Sequence, residues 1–200
     1  ACAVCGRPAL HVCPTCAPRL VPCVERVSTR PAVVAAGRYD GAWSAVVPAW
    51  KERRHAGLLP WLSVALASAV LEVVGDELAG GPLLLVPVPT SRRNRRRRGV
   101  DHMDVLARST TAVLRRCGVA GEVVPLVRLA RQTRDQADLG AQEREANVRG
   151  AFVARRTARR GTLVVVDDVT TTGATVRAVL HALAAAGHVP SGAAAVAWRP

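Results

Sequence analysis

The sequence predicts an α/β domain, a doubly wound and mostly parallel sheet, with a small cysteine-rich module ahead of it. Apolar runs of strand length alternate with segments of helical period, which implies parallel β-α-β crossovers. The chain has 200 residues, half of them apolar, enough for one such domain and an appendage. Two Cys-x-x-Cys pairs stand at its start, in "CAVC" and "CPTC". These observations divide the chain into a cysteine module over 1–28 and an α/β domain over 29–200.

The elements follow in order. "AVVAAGRYD" is a short strand candidate and leads into "GAWSAVVPAWKERRH". "LLPWLSVALASAVLEVV", from Leu58, is apolar throughout but holds Pro60 and Glu72. It is short for a membrane span and reads as a buried helix. After "GGP", the run "LLLVPVP" is a fully buried strand ending at proline. "TSRRNRRRRG" is a basic loop. "DHMDVLARSTTAVLRRCG" places Met103, Leu106, Val113 and Leu114 at helical spacing and ends on glycine; Cys117 reads as core. "EVVPLVRL" is a strand candidate. The polar stretch of about 130–150 lacks apolar periodicity and reads as a mobile arm. "TLVVV" is the next buried strand, "TVRAVLHALAAAG" a helix, and "GAAAVAW" the last strand.

Each cysteine pair can close a tight turn with both thiolates aimed at one tetrahedral ion. Cys2, Cys5, Cys13 and Cys16 are therefore the expected ligands of a structural zinc. His11 and Cys23 are each placed to replace one of them. Disulfides belong to a different compartment, a redox dithiol needs only one pair, and four unligated thiols remain the plain alternative.

The net charge is +13, which points to polyanions or phosphorylated small molecules as partners. The chain opens on cysteines rather than on a basic region and apolar core, so it reads as lacking a signal peptide. The expectation is a cytoplasmic protein with no membrane insertion.

The most informative stretch is "VVVDDVTTTGAT", 164–175. Ligands of a parallel sheet bind outside the carboxyl ends of its strands, where Asp167 and Asp168 stand. The threonines, Gly173 and the helix start at about Thr175 then make a phosphate cradle of unpaired N–H groups and hydroxyls. Glycine there lets the backbone approach the anion. Two carboxylates beside a phosphate must face something that offers donors or positive charge. A sugar with vicinal hydroxyls fits, as does a developing oxocarbenium carbon.

Two acids followed by Thr-Thr-Gly-x-Thr resemble the phosphoribosyltransferase signature. With the cysteine module, "VPVPTSRRNRRRRG" and "LARQTRDQADLGAQEREANVRGAF", the whole chain resembles the ComF family of competence-associated phosphoribosyltransferase-like proteins. The resemblance implies a type I phosphoribosyltransferase-like fold that binds phosphoribosyl pyrophosphate. In that reading Asp167 and Asp168 hold the ribose 2′- and 3′-hydroxyls as the catalytic pair. Thr170, Thr171, Thr172, Gly173, Ala174 and Thr175 form the 5′-phosphate turn. Val88, Pro89 and Thr90 form the pyrophosphate loop, and Lys51 is the family's lysine. Magnesium would accompany the pyrophosphate. A role in DNA uptake during natural transformation is implied, with single-stranded DNA and a competence helicase or other uptake proteins as partners. One segment departs from the family: "RGVDH" stands where Arg-Gly-Phe-Asn-Gln is usual.

The basic loop holds Arg92, Arg93, Arg95, Arg96, Arg97 and Arg98, six arginines in seven positions. Arginine is planar, always charged and bidentate to phosphate. The near members are placed to grip pyrophosphate and the others a nucleic-acid backbone; a loop tuned for solubility is the plain alternative. Two function classes result. One is a phosphoribosyl-transferring enzyme with an unidentified acceptor, over which the arm would close as a lid. The other is a non-catalytic single-stranded DNA-binding protein on the same scaffold. No general base stands out; His102, His181 and His188 read as packed or surface residues.

Overall fold

The computed structural model describes the chain apart from residues 54, 76–80, 92–94, 97–98, 131–147 and 149. Arg92, Arg93, Arg97, Arg98 and nearly all of the polar arm lie outside the described residues. In chain order the strands are β1 (Glu25–Thr29), β2 (Ala32–Ala35), β3 (Leu83–Pro87), β4 (Gly121–Val123), β5 (Val127–Leu129), β6 (Phe152–Ala154), β7 (Thr162–Thr170) and β8 (Gly192–Trp198). The helices are α1 (Gly41–Lys51), α2 (Leu59–Val74), α3 (His102–Arg116) and α4 (Ala174–Ala185).

Six strands form one sheet in the order β1-β2-β8-β7-β3-β4. Only β1 runs antiparallel to its neighbour; the other pairings are parallel. Alternation along the strands sorts their side chains to two faces. Leu83, Leu85, Val164 and Val166 join a core layer built on α1, α2 and α3. Leu84, Val86, Leu163 and Val165 face α4 and the β5–β6 ribbon. Helices thus cover both faces, and a strand buried on both sides reads as a continuous apolar run. β8 meets this demand with small residues, and Ala193 to Ala197 are all buried.

The connections define a crevice. β3 leads through α3 to β4 on one side, whereas β7 leads through α4 to β8 on the other. The strand order therefore reverses between β3 and β7. A parallel sheet opens its ligand crevice at such a reversal, beyond the strand ends. β3 gives up the ladder at Pro87, with a last bond from Val88 N–H to Val166 O at 2.9 Å, while β7 continues to Thr170 beside β8.

Several elements differ from the sequence reading. "EVVPLVRL" is two strands, not one. Val124 N–H extends the sheet to Leu85 O at 2.9 Å, then Leu126 N–H turns back to Val124 O at 2.8 Å. Pro125, between them, has no N–H to continue the ladder. β5 then pairs antiparallel with β6, and Ala130 N–H donates to Ala151 O, so the two ends of the arm are held together. Helix α1 was hidden by its internal Pro48. β1 was hidden by its polar, largely exposed residues; the boundary drawn at 28 falls inside it. Cys117, read as core, is exposed at the end of α3. The stretch Ala56–Val74 is long and apolar enough to cross a membrane, yet over half of it is buried inside the fold, where α2 packs on α3 and β8.

Candidate functional site

The crevice between β3 and β7 gathers residues from four separate stretches of chain. From β7 come Asp167 and Asp168, both buried. They are successive strand residues, so they leave the strand on opposite sides. Asp168 lies on the α1 side. Lys51, the last residue of α1, places its Nζ 2.5 Å from Asp168 Oδ2. Asp168 Oδ1 accepts the Val169 N–H at 2.6 Å, and Asp167 Oδ1 accepts the Asp168 N–H at 2.9 Å. Burial first, and then the neighbouring Asp168, push the Asp167 carboxyl up to about 8, against the pull of Lys51. Burial thus biases Asp167 toward its protonated form, in which it can donate as well as accept. The pair divides into one acid with its cation and one acid raised by burial. A buried carboxyl raised beside a second acid is a recurring mark of functional sites.

The turn beyond β7 is shorter than the sequence suggests. Thr170 still belongs to the strand, is buried, and accepts the Arg199 N–H on its carbonyl at 2.8 Å. Thr171, Thr172 and Gly173 make the turn, and α4 begins at Ala174, with Thr175 in its first turn. Thr172 Oγ1 accepts the Ala174 N–H at 3.4 Å. Gly173 caps the helix at φ 72°, a left-handed conformation that glycine adopts without strain. An added Cβ would also stand 3.1 Å from the Arg177 guanidinium. That guanidinium donates to Thr172 O at 2.5 Å. The helix start, its dipole and Arg177 together make this turn a place for an anion.

Across the crevice, Val88, Pro89 and Thr90 follow β3. Thr90 Oγ1 donates to Asp101 Oδ1 at 3.0 Å, and Asp101 caps α3 by accepting the Asp104 N–H at 3.4 Å. Asp101, the departure from the family pattern, thus fastens the loop after β3 to the next helix. Its neighbour His102 is buried with its ring edge-on to Trp50, centroids 5.1 Å apart. Arg95 and Arg96 are exposed and form part of a short helical turn. From sequence Asp101 was marked only as part of the "RGVDH" departure and Arg177 not at all; an acid three residues before Asp104 at a helix start was the available signal for a cap at Asp101.

The cysteines form a second constellation. The ligand atoms of Cys2, Cys5, Cys13 and Cys16 all lie within 4.8 Å of one another. Each pair closes a tight turn, through Gly6 N–H to Cys2 O at 2.9 Å and Cys16 N–H to Cys13 O at 3.0 Å. Backbone N–H groups of Cys13 and Cys5 draw the Cys2 thiol down to about 6. Burial, aided by the neighbouring sulfurs, pushes Cys16 up to about 12. Four thiols this close cannot all ionise against one another without a cation, so the donor set fits a tetrahedral metal such as zinc. His11 and Cys23 take no place in the cluster. The His11 Nδ1 instead meets His55 Nε2 at 3.0 Å, and Cys23 is exposed. His11 also explains Gly57, where a Cβ would come within 2.0 Å of the His11 ring. The module is therefore fastened to the turn that follows Lys51.

No family model matches the chain. The chain is similar to curated bacterial proteins over most of its length. It is 29% identical over 195 residues to the DNA utilization protein YhgH of Escherichia coli (strain K12), covering 98% of this chain and 80% of that protein. It is likewise 29% identical over 182 residues to the DNA utilization protein YhgH of Salmonella typhimurium, covering 91% of this chain and 77% of that protein.

Proposed function

We infer that the chain is a phosphoribosyltransferase-like protein that binds phosphoribosyl pyrophosphate in the β3–β7 crevice and serves DNA utilization. The observation that carries this reading is the acid pair at the reversal point, with Lys51 on Asp168 and the Gly173-capped turn next to it. In this reading the turn and the start of α4 take the 5′-phosphate, as helix N-termini take anions. Asp167 and Asp168 take the ribose hydroxyls. Asp167 with its proton can give one hydrogen bond and accept another, and Asp168 brings negative charge toward an oxocarbenium-like carbon. Lys51 keeps that charge in place, so the ligand supplies donors rather than a counter-ion. Val88, Pro89 and Thr90 face the pyrophosphate. Magnesium would accompany the pyrophosphate, as this ion usually binds beside phosphates.

The DNA part of the reading rests on the names of the relatives and on the +13 charge. A binding protein without turnover is its second form, and a transferase with an unidentified acceptor its first. Calorimetric titration with phosphoribosyl pyrophosphate and magnesium tests the shared claim: no heat of binding removes it. Pyrophosphate release in the presence of candidate acceptors then separates the two forms.

A further inference from the structure

A second run of arginines stands just before β7. Between positions 146 and 166 the chain carries no Asp or Glu, and "RRTARR" places arginines at 155, 156, 159 and 160. The structure lays this segment against β4, the strand that ends the main sheet. Together they form a groove of about 310 Å³, with Val124, Pro125 and Leu126 on one wall and Arg155, Arg156 and Arg159 on the other.

The arginine wall is fixed at its backbone and open at its side chains. Arg155 N–H donates to Leu126 O at 2.9 Å. The His188 ring meets Arg155 O at 3.0 Å. Arg159 N–H donates to Thr157 Oγ1 at 3.2 Å, and the Arg159 side chain pairs with Glu122 of β4. Arg155, Arg156 and Arg160 are exposed, and among the described residues no carboxylate pairs with them. Among the described residues one acid thus answers the four arginines of this segment. A rigid wall of uncompensated guanidinium groups suits phosphodiesters, which arginine grips bidentately.

We propose that the groove between β4 and the Arg155–Arg160 segment is a phosphate-backbone seat for single-stranded nucleic acid. The groove is apolar on one side, where the exposed Pro125 offers a surface to the sugars of one strand. Among the described residues no aromatic lines it, so the seat offers no stacking platform and the expected binding is independent of base sequence. The choice of nucleic acid over another polyanion rests on the DNA reading above; the charge geometry does not.

The test is fluorescence anisotropy of a labelled oligothymidylate against the full-length, zinc-loaded protein across a salt series. Arg155, Arg156 and Arg160 are replaced together by serine, and separately by lysine. Counterion release gives a slope near −0.7 per phosphate contact for single strands. The serine variant should flatten the log–log slope by about 2, three contacts at that value, and the lysine variant should restore most of it. Calorimetric binding of phosphoribosyl pyrophosphate should be unchanged in both. An unchanged slope in a serine variant that still binds the oligonucleotide overturns the proposal and assigns contact to other arginines. Loss of phosphoribosyl pyrophosphate binding in the serine variant also overturns it, because the arginines would then belong to the crevice. A wild-type protein that ignores the oligonucleotide at low salt overturns it too, while leaving the phosphoribosyl pyrophosphate titration to decide the crevice reading.

Discussion

The cysteine cluster and the strand-end acid pair each crowd ionisable groups together, and they resolve the crowding in opposite ways. At the cluster, four sulfurs lie within 4.8 Å of one another. Their thiols are split, with Cys2 drawn down to about 6 and Cys16 driven up to about 12. Four thiolates at this spacing repel one another unless a cation joins them. At the strand end the protein supplies its own answer: Lys51 sits 2.5 Å from Asp168, and burial raises the Asp167 carboxyl toward its neutral form. The first arrangement requires a cation to be complete. The second carries its own cation.

The largest expected effect follows from the first half of this contrast. Protein purified without chelator should contain about one zinc, as a closed four-ligand site requires. Removing it should unfold residues 1 to 28, because for so small a unit metal affinity is folding energy. Hydrogen exchange should show the N-terminal amides losing protection while β3, β7 and β8 keep theirs. A metal-free protein fully protected through the module would break the comparison.

Lys51→Met attacks the second half. It leaves Asp168 buried without its cation. Removing one partner of a buried pair costs about 3–5 kcal/mol. Lys51 is about a quarter exposed, so solvent screening reduces the expected loss to about 2 kcal/mol. Denaturant unfolding measures it. A neutral outcome would mean that Asp168 finds its compensation elsewhere.

A third effect is a pH dependence. Asp167 is raised to about 8 in the folded chain, against about 3.9 for an unfolded aspartate. Between these values the unfolded state has lost a proton that the folded state keeps. The contribution is therefore most favourable below about pH 4, falls as pH rises toward about 8, and levels off above that. One proton corresponds to at most about 1.4 kcal/mol per pH unit. Denaturant titrations at about pH 5 and about pH 7 should show that Asp167→Asn removes this component relative to wild type. Equal slopes would show that Asp167 is already ionised.

Much of this arrangement was legible in the sequence, and for identifiable reasons. Strands buried on both faces, such as Leu83–Pro87 and the first half of β7, announce themselves as unbroken apolar runs. The cysteine spacing and the acid-threonine turn are local, so one window of sequence contains them. What escaped is non-local or carries a weak pattern. The Thr90–Asp101 bond joins residues across the basic loop. The split of "EVVPLVRL" required knowing that Val124 would find Leu85 while Pro125 released the chain. The His11–His55 contact joins the module to the turn after α1 across 44 positions. The opposite faces of Asp167 and Asp168 follow from strand alternation, but only once β7 is seen to run past them to Thr170.

The central claim is that the turn from Asp167 to Thr175 is built for a ribosyl phosphate. Calorimetric titration of phosphoribosyl pyrophosphate, ribose 5-phosphate and inorganic sulfate against wild type, Asp168→Asn and Thr172→Val tests it most directly. Asp168→Asn turns a charge-assisted hydrogen bond into a neutral one, a difference of roughly 1–2 kcal/mol. Both ribosyl phosphates should then bind about tenfold more weakly, whereas sulfate should bind as well or better, since a repelling charge beside the anion turn is gone. Thr172→Val should weaken both ribosyl phosphates through the 5′-phosphate they share. If neither substitution alters the binding of either ribosyl phosphate, the turn is not the site.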